Sequence, residues 1–185
     1  MRSLQVHQKS AVHRRFTAIS WSRQEQGFTC LHCRGNVNSS FASSGVCNRN
    51  HCPYCLWSRH LDLYAAGDRL SACKAGMRPI GLTFKRSAKK YGPGHGELML
   101  VHLCVECSRL SINRIAADDH SGTVYEVFHV SLGMDCTTKA RLSEAGIEIL
   151  ERMDTEAVRR QLFGWKNREE VFSPDLIEAS LVAEP

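Results

Sequence analysis

The chain has 185 residues, 43% of them hydrophobic and 23% charged, with a formal net charge of +5. That length suits one compact domain plus an extension, or two small domains. No stretch approaches the roughly 18 apolar residues of a membrane helix, and no apolar segment with a small-residue cleavage site marks a secretory leader. A cytoplasmic protein is the resulting expectation.

Charge is uneven. Residues 1–29 carry five Lys/Arg and one acid, residues 30–119 carry twelve and six, and residues 120–185 carry seven and twelve. A basic front and an acidic tail suggest parts with different partners. Residues 1–26 read as a basic, disordered arm. The same composition suits a solvated tail, an organelle transit peptide, which would move the protein to an organelle, or an arm on nucleic acid.

Residues 27–135 follow as the central domain. Asn36–Gly45 is rich in Ser, Asn and Gly and reads as a loop. Leu56–Tyr64 suits a short helix or turn. Ile80–Phe84 and Glu97–Leu103 read as strands, joined through the basic, Gly- and Pro-containing stretch Lys85–Gly96 as a hairpin. Val124–Leu132 is β-branched and aromatic with partial alternation, which predicts a further strand. Residues 136–185 read as a helical extension. Lys139–Arg152 puts Leu142, Ala145, Ile149 and Met153 on one face, and a second helix capped by Asp154 or Thr155 runs through Trp165 with Val158 and Leu162 inward. The fold class is therefore α+β: a small domain of short antiparallel strands with a C-terminal helical hairpin.

Nine cysteines are many for this length. In a reducing compartment clustered pairs point to metal rather than disulfides. Cys30-Leu31-His32-Cys33 and Cys52-Pro53-Tyr54-Cys55 are two Cys-x-x-Cys pairs separated by 18 residues. Two intervening residues let both sulfurs turn toward one ion, and a second pair completes a tetrahedron. Pro53 suits the tight turn because its ring pre-sets φ. A third pair, Cys104 and Cys107, needs two more donors for a second zinc. Cys73 is the third, and His60, His102 and His51 are candidates for the fourth, with His60 preferred. His102 would sit close to Cys104 on the same strand face. The alternative for Cys104 and Cys107 is a redox dithiol, but that motif belongs at a helix start, and here it follows a strand-like run. Cys47 and Cys136 have no paired partner.

Zinc changes the charge balance. Four thiolates on Zn²⁺ leave −2, and three thiolates with a neutral imidazole leave −1, so overall basicity is weak support for nucleic-acid binding and local clusters matter more. Arg34, Arg49 and Arg59 lie beside the knuckles and could partly neutralise them.

The string Arg49-Asn50-His51-Cys52-Pro53 resembles the signature of the RNHCP domain family. The likeness continues through Cys55–Asp62, Gly67-Asp68-Arg69, Cys73, Met77–Ile80, His102–Cys107 and Asn113–Asp119, covering about Phe28 to Asp119. The resemblance implies a zinc-ribbon-like, prokaryotic-type intracellular domain and no particular reaction. The chain departs from the pattern in Arg34, where such knuckles favour Gly, in Cys47, and in its long C-terminal part.

The polar residues around the knuckles allow three functions. Arg49, Asn50, His51, Arg59, Lys85, Arg86, Lys89 and Lys90 could bind RNA or a ribonucleoprotein such as the ribosome, with Tyr91 beside the basic loop for stacking. A solvated hairpin tip with internal Arg–Asp pairs would use the same residues without a ligand. His51, His60, Asp62, Asp118 and Asp119 could instead serve a small zinc-supported nuclease or other hydrolase. However, a fully Cys-ligated zinc has no open position, and the zinc-deaminase signature is absent because Pro53 follows the first cysteine rather than preceding it. The third class is an adaptor that docks a protein through the C-terminal helices.

Overall fold

The computed structural model describes residues 27–85 and 96–164. The arm at residues 1–26, most of the basic loop and Trp165 lie outside the described residues. In chain order the elements are β1 (Phe28–Thr29), β2 (Asn36–Val37), α1 (Phe41–Ser44), β3 (Ser58–Arg59), β4 (Gly76–Lys85), β5 (Glu97–Cys104), β6 (Leu110–Arg114), α2 (Ser121–Ser131), α3 (Cys136–Glu144) and α4 (Thr155–Phe163). A single 3₁₀ turn at Arg152–Asp154 leads into α4. The fold is α+β.

Two sheets are present. β1 and β2 form a small antiparallel pair, and β3-β4-β5-β6 form a four-stranded antiparallel sheet. The two strands expected at residues 80–84 and 97–103 are its long central pair. They run in register from Lys85↔Glu97 to Met77↔Cys104, with Ile80 as the extra residue of a bulge between Pro79 and Gly81. β5 is buried on consecutive residues from Leu98 to His102. A strand flanked on both sides and covered on its faces loses the apolar/polar alternation of a half-exposed one.

Residues 121–131 form a helix, not the expected strand. Val124, Tyr125, Phe128 and Ser131 are its buried positions, the i, i+1, i+4, i+7 set of one helical face. Packing against the sheet outweighs the local β preference of Val, Tyr and Phe, as tertiary context commonly does. His120 starts the helix, its Nδ1 accepting from Thr123 N at 3.2 Å.

The next helix is also shorter than the periodicity predicts. Asp135 caps α3 through Thr138 N at 2.8 Å. Gly146 ends it with φ 71°, and Ile147 N returns to Leu142 O at 2.9 Å, a glycine-terminated helix end. Leu142 is buried as expected, but Ile149 lies beyond the helix, and Met153 is 86% exposed. The segment after Gly146 runs along β4 instead: Leu150 N donates to Leu82 O at 2.9 Å, and Thr83 Oγ1 to Glu148 O at 2.6 Å. This covers the part of the β4 edge that two-residue β3 leaves open. Residues 36–45, expected as loop, supply β2 and α1, and residues 56–64, expected as a short helix or turn, contain β3.

One core joins sheet and helices. Leu56, Leu82, Leu98 and Leu100 meet Val124, Tyr125, Phe128, Leu150 and Val158, with Leu162 and Phe163 packed against them. Each fully buried side chain of this size contributes about 1.5–3 kcal/mol. A second, small cluster of Cys30, Val37 and Cys52 lies under the first knuckle. No described helix is long and apolar enough to cross a membrane.

Candidate metal centres

Three Cys-x-x-Cys knuckles share one backbone design, although two different sheets hold them. In each, the residue after the second cysteine returns its N–H to the first cysteine's carbonyl: Arg34 to Cys30 at 3.0 Å, Leu56 to Cys52 at 2.9 Å, and Ser108 to Cys104 at 3.1 Å. The first cysteine's N–H is bonded in turn to a carbonyl of Gly35, Trp57 or Arg109. The turn drives Arg34, Leu56 and Ser108 to φ values of 64°, 59° and 58°. This left-handed region is unfavourable for side-chain-bearing residues, so the three positions are held there by their surroundings. Arg34, the departure from the expected glycine, adopts the turn all the same.

The knuckles assemble two four-donor clusters. Cys30, Cys33, Cys52 and Cys55 form the first, and His60, Cys73, Cys104 and Cys107 the second, and in each the donor atoms all lie within 4.8 Å of one another. In the first, Sγ atoms of Cys30 and Cys55, and of Cys33 and Cys52, are 3.6 Å apart. In the second, Cys73 and Cys104 Sγ are 3.6 Å apart, and Cys107 Sγ is 3.3 Å from His60 Nδ1. A disulfide would bring sulfurs to about 2.05 Å. A tetrahedron with Zn–S bonds of about 2.3 Å has edges of roughly 3.8 Å, and the donor sets fit that ion. Two zinc sites, one Cys₄ and one Cys₃His, could therefore be filled by this chain.

The electrostatics agree. Burial pushes the Cys55 and Cys52 thiols up, while the Gly35 N–H lowers Cys33 to about 7. Four thiols packed together cannot all ionise without a cation, whereas a divalent ion takes them as thiolates.

His60 is the histidine that joins the second cluster. Its Nε2 is buried with no partner among the described residues, so Nδ1, beside Cys107, is the donor atom. The two rivals are committed elsewhere. His102 is fully buried; its Nε2 faces Leu56 O at 2.8 Å and must donate, which leaves Nδ1 to accept from Asn113 Nδ2 at 2.9 Å. Burial lowers its pKa to about 3, so the ring is neutral. His51 Nε2 is 2.8 Å from Asp119 Oδ2.

The Arg-Asn-His-Cys-Pro string is an anchor: Arg49, His51 and Pro53 hold residues 118–120, Asn50 holds Asp62 and Arg69, and Cys52 joins the first cluster. Arg49 donates through Nη1 to Asp118 Oδ2 at 2.6 Å, through Nη2 to Asp119 Oδ1 at 3.0 Å, and through Nε to His51 O at 3.0 Å. Asn50 donates to Asp62 Oδ2 at 2.9 Å and accepts from Arg69 Nη1. His51 reaches Asp119, whose Oδ2 also takes Ala116 N at 2.7 Å. Cys52 belongs to the first cluster, and Pro53 O accepts from His120 N at 3.2 Å. Buried charges and amides must be paired in this way.

Arg49, Asn50 and His51 are thus buried and spent on internal bonds, which does not fit the expectation that they contact RNA. Nor does Arg49 neutralise a knuckle, since two carboxylates hold it. Of the acid/base set of the hydrolase reading, His51, Asp62, Asp118 and Asp119 are engaged in these contacts, and His60 joins the second donor cluster. Arg59 is exposed, its Nε donating to Lys74 O at 3.0 Å, and Lys85 is exposed at the end of β4. Arg86, Lys89 and Lys90 lie outside the described residues. Asp68 takes the backbone N–H groups of Leu63, Tyr64, Ala65 and Leu70 rather than pairing with an arginine. Cys47 and Cys136 are exposed and free.

Sequence reasoning missed a stack between His32 and Trp57, whose rings lie 4.2 Å apart at 8°. Its only local signal is that both residues occur in or just after a knuckle.

The RNHCP domain family model matches residues 25–125. No curated protein and no solved structure matches the chain. The match spans more than half of the sequence, including both donor clusters and the Arg49–Asp119 anchor, and the chain belongs to the RNHCP domain family.

Proposed function

We propose that this protein is a binding factor for RNA or a ribonucleoprotein, with two zinc ions holding its architecture. Cys30, Cys33, Cys52 and Cys55 would hold one ion, and His60, Cys73, Cys104 and Cys107 the other. Zinc there supplies cross-links between distant segments. Each set already has four protein donors, the closed arrangement of structural sites, with no position left for an activated water.

The observation that supports RNA is a run of basic residues without an acid between β4 and β5. Arg49, Arg69 and Arg114 face carboxylates. Arg59 and Lys85 form no ion pair among the described residues, and residues 86–95, between the two longest strands, add Arg86, Lys89 and Lys90 without an acid. Clustered cations with an aromatic residue next in sequence, as in Lys89-Lys90-Tyr91, suit phosphates and unstacked bases.

The test is binding of a single-stranded oligoribonucleotide across a salt series. Replacing Lys89 and Lys90 together by Ala is expected to weaken binding and to flatten the salt dependence by roughly 0.7 for each phosphate that is no longer neutralised. Unchanged affinity and slope count against this loop, and salt-independent or absent binding by the wild type overturns the RNA reading.

A further inference from the structure

The His32–Trp57 stack lines a cavity of about 410 Å³ between the first knuckle and β3. Phe28, Leu31 and Leu61 supply its other apolar walls, and Arg59 stands among the lining residues. Pockets for small organic ligands run to roughly 300–1,000 Å³, mostly apolar with a few polar groups. Nothing in the zinc architecture requires this opening. Leu31 is 55% exposed, although a knuckle tip could readily carry a polar residue there.

We propose that this cleft binds one nucleotide, its base against the His32–Trp57 wall and its phosphate at Arg59. The inference rests on the RNA reading above and names the place where a nucleotide of the strand is held. Charge selects the occupant. Arg49 is already paired with Asp118 and Asp119, and Arg69 lies beside Asp62. Arg59 is the lining cation with no carboxylate partner among the described residues, so the cleft presents flat rings and one guanidinium free of any carboxylate. That combination fits a planar ring bearing an anion, and aromatic stacking with a neighbouring guanidinium is how single-stranded nucleic acids are held without sequence readout. Base selection is weak here. The Asn50 side chain is bonded to Asp62 and Arg69, and Ser58 Oγ donates to Asn50 O, so these groups do not read base edges.

The experiment uses the full-length, zinc-loaded chain. Fluorescence anisotropy follows a labelled ten-nucleotide oligouridylate and oligoadenylate, and calorimetry follows adenosine 5′-monophosphate. The variants are Trp57→Leu and Arg59→Gln. Arg59→Gln alters an exposed side chain, so it keeps the test valid if Trp57→Leu fails to fold; zinc content and the thermal transition check both. The expected result is about tenfold weaker oligonucleotide binding in each folded variant, similar affinities for the two oligonucleotides, and a salt slope lower by roughly 0.7 in Arg59→Gln. If wild type binds the oligonucleotides and both variants match it, the cleft is overturned and the RNA reading stands. If the monophosphate binds as tightly as the decamers and the variants lose it, the cleft stands as a free-nucleotide site and the RNA reading falls. If wild type binds no probe, both are overturned.

Discussion

Arg49 Nη2 donates to Asp119 Oδ1 at 3.0 Å with both side chains fully buried, across 70 residues of chain. The pair ties the segment entering the second knuckle to the segment entering α2. Asp119 also takes His51 and the Ala116 N–H, so its removal strands three donors. Asp119→Ala is expected to destabilise the protein by about 3–5 kcal/mol, because Arg49 keeps only the partly exposed Asp118 and the buried His51 and Ala116 N–H lose their acceptor. Asp118→Ala should cost less, since that side chain is 34% exposed and solvent screens it. Denaturant titration of zinc-loaded protein measures both, and equal losses would contradict the ranking.

Metal stoichiometry is the second prediction. Elemental analysis should find two zinc ions per chain. His60→Ala leaves three thiolates at the second site and is expected to retain one firmly held ion after dialysis against a mild chelator. Cys52→Ser should instead lose the ion of the first site and keep that of the second. A His60→Ala protein that keeps two ions would remove His60 from the donor set. Full chelation should unfold the knuckles, because a structural zinc contributes about 10–16 kcal/mol in small peptides while a whole domain is stable by only about 5–15 kcal/mol.

Gly81 sits where the segment after α3 crosses β4. A Cβ there would collide with Ile149 Cδ1 and come within 3.0 Å of Ser131 Cβ. Gly81→Val should therefore push residues 147–150 off the sheet edge and cost about 1–3 kcal/mol through overpacking. Thermal unfolding measures the loss, and hydrogen exchange at the Leu150 amide, bonded to Leu82 O, reports whether the crossing opens.

The loop from His60 to Cys73 depends on Asp68. Backbone N–H groups of Leu70, Ala65, Leu63 and Tyr64 hold its carboxyl well below the usual carboxylate range. A carboxylate depressed in the folded state adds stability that is fully present above its ordinary pKa of about 3.9 and is lost as pH falls through the lowered value. At neutral pH the loop should be ordered in the wild type, with protected amides at Leu63, Tyr64, Ala65 and Leu70. In Asp68→Asn the same amides are expected to exchange faster at pH 7, with quicker zinc release from the second cluster. Unaltered protection would show that Asp62, which takes the Gly67 and Arg69 amides, holds the loop without Asp68.

His102 should stay neutral, with its proton on Nε2, throughout pH 5–8, since burial lowers its pKa to about 3. A buried neutral histidine opposes acid: the unfolded chain takes up a proton below about 6.5 and the folded one does not, so this residue reduces stability as pH falls from there. Nitrogen-15 chemical shifts of the ring check the tautomer directly.

The knuckles were legible because their chemistry is local. Two residues between cysteines put both sulfurs on one side of a tight turn wherever the turn is placed, and a second pair can complete the tetrahedron from a distance. The long central strands were legible for a related reason, as runs of β-branched and aliphatic residues bounded by Gly and Pro. By contrast, Thr123–Leu132 fits either period, and only the surface it packs against selects helix over strand. Gly146 could have marked the end of α3, but the apolar spacing across it continued the helix in register.

Residue order alone is enough to pair the thiolates, to surround them with a mixed α+β fold, and to assign the pattern to its family. Folding in three dimensions makes His60, and not His51 or His102, the residue that completes the second cluster. It also turns Arg49, Asn50 and His51 inward as anchors and sets His32 against Trp57. These outcomes depend on groups tens of residues apart, whose burial and partners are set by how the strands pair and the helices cover them. A side chain's identity states which bonds it can make, and only its neighbours in space determine which of them remain free.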